Sequence, residues 1–141
     1  VGGGGLISGI AGYMKSKLSN IEIIGCQPEA SAVMAHSIES GRIVEVKSGP
    51  TLSDGTAGGI EKDAITFDLC KHLVDYYALI SEQEIIENIQ TFLDTHRMLI
   101  EGAAGVALAG FLANKDKYVG KKVVVVVCGG NIARKTLASI I

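Results

Sequence analysis

Four consecutive glycines, Gly2 to Gly5, run straight into a segment with helical spacing, Leu6 to Leu18. Glycine accepts positive φ and lets a backbone come close to a ligand. Such a run before a helix can turn several backbone N–H groups inward. The helix N-terminus, near Leu6 to Ser8, adds free donors and a partial positive charge. This chemistry suits an anion, a phosphate above all. It is not a nucleotide P-loop, which closes on Gly-Lys-Ser/Thr, because no lysine lies near Gly5. Nor is it a dinucleotide fingerprint, since Gly3, Gly5 and Gly9 stand at i, i+2 and i+6 where that motif needs i, i+2 and i+5. Taken alone, the same glycines also suit a cap that only lets the helix pack closely.

A second glycine turn, Cys128-Gly129-Gly130-Asn131, closes the run Val123 to Cys128. Ligands of open α/β sheets bind beyond the carboxyl ends of strands, so this position is apt for cofactor contact. A free cysteine by itself reads more simply as a small buried hydrophobe. The three histidines, His36, His72 and His96, share no spacing and read as surface or packed imidazoles.

Composition narrows the classes. The 141 residues suit one domain, and 48% hydrophobic content excludes a disordered chain. Thirteen Lys+Arg against fifteen Asp+Glu leave a net charge of −2 without a basic stripe, which argues against nucleic acid. No apolar run approaches the roughly 18 residues of a membrane helix. Three cysteines without a CxxC leave one unpaired, as expected in a reducing, cytoplasmic compartment. The opening Val-Gly-Gly-Gly-Gly, with no Met and no secretory signal, reads as an internal piece of a longer chain. Eighteen glycines are roughly twice the ordinary share of about 7%, and they cluster where one kind of segment gives way to another.

The elements that must carry these motifs alternate. Helical spacing predicts helices over 6–18, 30–39 (closed by Gly41), 62–74, 102–114 and 133–140. Ser81 with Glu84 three residues on is a capping box, so another helix should run over 82–97. Strands are expected at 21–26, 43–46, 77–80 and 123–128, with 48–61 as one long loop. The β-branched run 123–128 has the composition of a strand buried on both faces of a parallel sheet. The expected fold is α/β and three-layered: a mostly parallel sheet flanked by helices, with its core centred on Val123 to Val127 beside Ile21 to Cys26.

The order of the motifs resembles the pyridoxal-phosphate-dependent serine/threonine dehydratases, relatives of serine racemase and tryptophan synthase β chains. The resemblance covers essentially all 141 residues and corresponds to the C-terminal part of the catalytic chain. It implies that Gly2, Gly3, Gly4, Gly5 and Leu6 cradle the phosphate of pyridoxal 5'-phosphate. It also implies that Cys128 contacts the pyridine nitrogen, and that Glu101 (in Leu99-Ile-Glu-Gly-Ala-Ala-Gly-Val) lies near the ring. Asp54 and Gly55, in Ser53-Asp-Gly-Thr-Ala, should pass beside the ring. Read without the resemblance, Glu101 is a helix-start carboxylate and Asp54 an Asx-turn residue.

The same resemblance implies a threonine or serine ammonia-lyase, of amino-acid metabolism and isoleucine biosynthesis. Its partners would be a small amino-acid substrate, the remainder of the catalytic chain and, in the full-length enzyme, further copies of itself. None of the ten lysines stands in the Ser-x-Lys-x-Arg-Gly context of the Schiff-base lysine, so that residue is expected upstream and no catalytic residue is expected within 1–141. Where cation-binding relatives carry a Glu, this sequence has Gln27, a weaker ligand for a hard cation, so no metal site of that kind is expected. Two rivals remain: a non-catalytic anion-binding or regulatory module, and, within the family, a serine racemase or hydroxyaspartate ammonia-lyase. Covalent catalysis needs the missing amine. The 141 residues alone should therefore form no 2-oxobutanoate from threonine, a result that a coupled 2-oxo-acid assay reads directly.

Overall fold

A computed structural model describes all 141 residues, Val1 to Ile141. Helix α1 (Gly5–Lys17) leads to strand β1 (Ile24–Pro28), then α2 (Val33–Glu39) and α3 (Ile65–Leu73). Strand β2 (Tyr76–Ile80), α4 (Glu82–His96), α5 (Gly102–Leu112) and α6 (Arg134–Ile140) follow. Short 3-10 turns occupy Glu29–Ser31, Asp54–Thr56 and Lys115–Tyr118.

Local chemistry sets several of these bounds. The capping box of α4 is complete. The Glu84 N–H donates to Ser81 Oγ at 3.3 Å, and the Ser81 N–H returns a bond to the Glu84 carboxylate at 2.9 Å. Helix α2 stops at a left-handed Gly41, φ 69°. The Gly41 N–H reaches the Ile38 carbonyl and the Arg42 N–H the Ser37 carbonyl, both at 3.1 Å, which satisfies the orphan acceptors of its last turn. Helix α3 begins three residues later than its spacing predicts, because Asp63 adopts φ 60° and breaks the turn before it.

Strands β1 and β2 are parallel, in register from Ile24 opposite Tyr76 to Pro28 opposite Ile80. A parallel pair needs a crossover, and the segment holding α2 and α3 supplies it. Alternation then assigns two faces. Cys26, Ala78 and Ile80 pack into the cluster of Ile85, Ile89, Ala104, Val106 and Ala109 from α4 and α5. Tyr77 packs the other way, against Met34, Phe67 and Cys70 of α2 and α3. Helices thus cover both faces, in the expected three layers.

Asp75, just before β2, ties α1 to the sheet. One carboxylate oxygen accepts from the Ile23 N–H and the other from Lys15 Nζ, both at 2.7 Å. Burial pushes this carboxyl up, but the two partners outweigh it and hold its pKa below the ordinary value. The same contact explains why β1 starts at Ile24 and not at Ile21. The chain joins the ladder only after Asp75 has captured Ile23.

Two expected strands are absent. Residues 43–46 and 123–128 carry no ladder hydrogen bonds. The core is not centred on Val123 to Val127: Val124 is 86% exposed, and Val123, Val126 and Val127 are exposed too. β-branched composition favours an extended chain, yet a strand exists only with a partner, and neither β1 nor β2 lies beside this run. The core instead centres on Ile80, Ile85, Ile89 and Ile100.

The α4 cap yields a stability test. The Ser81 hydroxyl and then its N–H lower the Glu84 pKa, against a smaller opposing effect of burial. A depressed carboxyl stabilises the fold above its unfolded pKa of about 4.3, and that stability fades as pH falls through the folded value. Ser81→Ala should cost about 1 kcal/mol in urea titrations at pH 7. The gap to the unsubstituted protein should narrow below about pH 4.

Candidate functional site

The glycine loop lies against the start of the sheet. The Val1 nitrogen donates to the Cys26 carbonyl at 2.6 Å, and Gln27 Nε2 donates to the Val1 carbonyl at 2.8 Å. Gln27 is buried, 1% exposed, and its Oε1 accepts from the Ala35 N–H at 2.8 Å. Both ends of this amide are therefore used inside the protein.

Gly4 adopts φ 87° and is the N-cap of α1. A Cβ there would lie 2.8 Å from both Cys70 Sγ and Met34 Cε, whereas one on Gly3 or Gly5 would meet nothing within 4 Å. Gly4 thus answers a packing demand, while Gly3 and Gly5 face open space. Thr66 Oγ1, at the start of α3, donates to the Gly3 carbonyl at 2.6 Å. The Gly4 carbonyl accepts from the Ser8 N–H at 3.0 Å and, weakly, from Cys70 Sγ at 3.8 Å. Burial raises the Cys70 pKa, so this thiol stays protonated beneath the loop.

The donors tell the complementary story. None of the backbone N–H groups from Gly2 to Ile7 has an acceptor in the protein. Helix α1 has no acidic residue in its first turn and no side-chain cap. Leu6 is 59% exposed, so the mouth of this donor array is open. Bare donors at a 13-residue helix N-terminus, with no carboxylate competing for them, can hold an anion.

Beside it runs the 51–57 loop. A Cβ on Gly2 would stand 3.1 Å from the Thr56 carbonyl, so the two loops touch. Ser53, buried, shares a 2.6 Å hydrogen bond with Thr56 Oγ1, and the Asp54 carboxylate accepts from the Gly55 N–H at 2.8 Å. Glu82, from the first turn of α4, holds the Leu52 N–H at 2.8 Å. The Asp54 carboxylate thus reaches the next N–H and not the one two residues on that an Asx turn uses; the Thr56 N–H goes to the Ser53 carbonyl instead.

Glu101 closes the arc. It is the N-cap of α5 but makes no cap bond with its side chain. Its carboxylate accepts from the Asn131 N–H at 2.9 Å, and its own N–H donates to the Gly129 carbonyl at 3.1 Å. A Cβ on Gly55 would be 3.7 Å from Glu101 Oε1, and one on Gly129 would overlap that carboxylate. The helix-start reading of Glu101 is therefore right for its backbone and wrong for its side chain. Cys128 precedes this turn, is exposed and carries a free thiol. Its neighbour Gly129 lies directly against the Glu101 carboxylate, which places Cys128 at this end of the arc.

Gly2 to Leu6, Asp54, Gly55, Glu101 and Cys128 thus fall along one continuous arc of loops. A cleft of about 340 Å³ opens at its far end, lined by Thr51, Asp54, Glu101, Asn131, Lys135 and Thr136. Sequence reasoning missed Thr66 and Glu82, and it weighed Gln27 only as a failed metal ligand. No local motif marks Thr66, which lies 63 residues from the carbonyl it holds.

Residues 1–129 match the family described as Pyridoxal-phosphate dependent enzyme. The chain is 42% identical over 132 residues to an L-threonine ammonia-lyase of Thermotoga maritima, which covers 94% of this chain and 32% of that protein. The processed form of threonine deaminase isoform 2 from Solanum lycopersicum is similar in structure, with a TM-score of 0.90 at 31% identity. It covers 99% of this chain and 41% of that one. Maize serine racemase gives a TM-score of 0.87 at 27% identity, over 99% of this chain and 44% of its own. The chain spans about a third of the length of the two threonine ammonia-lyases it matches at 42% and 37% identity.

One glycine keeps the arc together. A Cβ on Gly102 would fall onto the Leu52 carbonyl, and neither backbone can yield cheaply. Gly102→Ala should lose about 1–3 kcal/mol or more in a denaturant titration. Gly59→Ala, facing open space at an ordinary φ, should melt like the unsubstituted protein.

Proposed function

The chain belongs to the pyridoxal-phosphate dependent enzymes, and from that premise we propose that residues 1–141 are part of the catalytic unit of a threonine (or serine) ammonia-lyase. The observation that carries this reading is the array of backbone N–H groups from Gly2 to Ile7, unpaired at an uncapped helix N-terminus. Those residues fit a phosphate ester. Gly3 and Gly5 leave room for it, and no acidic side chain in the first turn repels it.

Bound pyridoxal 5'-phosphate supplies an electron-withdrawing ring that stabilises negative charge developing on an amino-acid substrate. The backbone of Gly2, Gly3, Gly4, Gly5 and Leu6 anchors the phosphate. Cys128, an exposed free thiol, would donate to the ring nitrogen. A thiol is a weak hydrogen-bond donor, so it would hold that nitrogen without the full charge that an acidic side chain would impose. This restraint suits loss of a β-hydroxyl, where the leaving group takes the electrons promptly. Glu101, fixed by the Asn131 N–H, and the Asp54–Gly55 turn would border the ring. The net reaction is threonine to 2-oxobutanoate and ammonia, and the Schiff-base lysine belongs to the remainder of the parent chain. The threonine ammonia-lyase names of the relatives support that choice, and the serine racemase likeness keeps racemisation as the rival outcome.

The unpaired Val123–Val127 run supports a parent whose other segments extend the sheet here, making residues 1–141 one unit of a larger cofactor-binding domain. Assembly into a homo-oligomer and residence in the cytoplasm complete the proposal. No helix is long and apolar enough to cross a membrane.

The cradle can be tested apart from packing. Gly4 is a poor probe, because any side chain there also strikes Cys70 and Met34. Gly3→Val adds bulk only to open space. Loss of one or two charge-assisted bonds, roughly 1.5–3 kcal/mol each, would weaken cofactor binding about 10- to 10,000-fold. In the full-length protein, Gly3→Val should fold normally and purify nearly free of cofactor absorbance, while Cys128→Ser keeps both cofactor and most activity. Undiminished cofactor in Gly3→Val would reduce the loop to a packing device.

A further inference from the structure

The glycine loop is held from behind by its carbonyl oxygens. Gln27 takes that of Val1, Thr66 that of Gly3, and the Ser8 N–H with Cys70 Sγ that of Gly4. All peptide bonds are trans, so the C=O of one residue and the N–H of the next point in opposite directions. Holding the Gly3 carbonyl against α3 therefore turns the Gly4 N–H away from α3. Holding the Val1 and Gly4 carbonyls does the same for the N–H groups of Gly2 and Gly5. Gly4 is left-handed and Gly5 is helical, an alternation that brings successive N–H groups into one concavity.

We propose that Thr66 is a positioning residue for the phosphate cradle, its hydroxyl fixing the Gly3–Gly4 peptide so that the Gly4 N–H is presented to the anion. This rests on the phosphate-binding reading of the loop. Of the three tethers, Thr66 is the one suited to a clean test. Gln27 also supports α2 through Ala35, and Cys70 is a core residue. Thr66 is half-buried, and its hydroxyl has one partner, the Gly3 carbonyl. Valine has the same shape without the donor, and serine keeps the donor. A peptide free to rotate presents its N–H only part of the time, so the loss should be that of one ordinary hydrogen bond.

The test uses the full-length protein stripped of cofactor, titrated separately with pyridoxal 5'-phosphate, with pyridoxal (which lacks the phosphate) and with inorganic phosphate followed by ³¹P NMR. Thr66→Val should weaken pyridoxal 5'-phosphate and inorganic phosphate by the same factor, roughly 3- to 10-fold. Pyridoxal affinity and the melting temperature should stay unchanged, and Thr66→Ser should restore phosphate binding. If Thr66→Val fails to fold, Thr66→Ala is read with the same three probes. Equal binding of all probes by the variant and the unsubstituted protein overturns the role of Thr66, as does an equal loss for pyridoxal. A different result sinks the underlying reading instead: an unsubstituted protein that binds pyridoxal 5'-phosphate no better than pyridoxal and takes up no inorganic phosphate.

Discussion

A buried amide must have both of its ends paired, and in this protein that requirement joins three elements at one point. Gln27 sits near the carboxyl end of β1, fully inside the protein, with its NH₂ group on the Val1 carbonyl and its oxygen on the Ala35 N–H. Leaving either end unmet costs about 1–3 kcal/mol, so strand, glycine loop and α2 are held in one mutual arrangement. Everything downstream inherits it. Helix α2 supplies Met34 and α3 supplies Cys70 as the floor under Gly4, and the crossover through both returns the chain to β2, parallel to β1.

The second constraint is distance of approach. Helix α5 lies against the Leu52 backbone through Gly102, against Ile85 and Ile89 of α4 through Gly105, and against Cys26 of β1 through Gly110. One helix thus carries the sheet, the 51–57 loop and Glu101 together. A larger residue at any of these three glycines would push one partner away, which is why the site's far side depends on residues that make no polar contact themselves. The glycine excess in the composition follows from this geometry as much as from the N-terminal glycine loop.

The parts of the protein legible in the sequence are those decided within a few residues. Ser81 and Glu84 announce α4, Gly41 announces the end of α2, and the Ala- and Gly-rich 102–114 segment announces close helix packing. What failed was non-local. The valines at 123–127 have strong strand propensity, but pairing needs a neighbour, and propensity is silent about neighbours. One local feature adds to this: α3 begins at Ile65 and not at 62, because the positive φ of Asp63 leaves no mark in hydrophobic periodicity. The candidate site shows the same division. Its glycine loop and its Cys-Gly-Gly-Asn turn are visible as strings, whereas Thr66 and Gln27 meet the loop only after 63 and 26 residues of intervening chain have folded.

Charge placement gives the arc a direction. At one end, the N–H groups of Gly2 to Ile7 are unpaired and no carboxylate occupies the first turn of α1. At the other, the carboxylates of Asp54 and Glu101 already accept from backbone N–H groups, those of Gly55 and Asn131. An internal carboxylate that reached the glycine loop would compete with an external anion for its donors. Tying each acid to a nearby N–H removes that competitor while leaving its second oxygen able to act on a ligand. The backbone hydrogen bonds on Asp54 and Glu101 therefore support the proposed anion site from outside the loop, by holding two carboxylates on other partners.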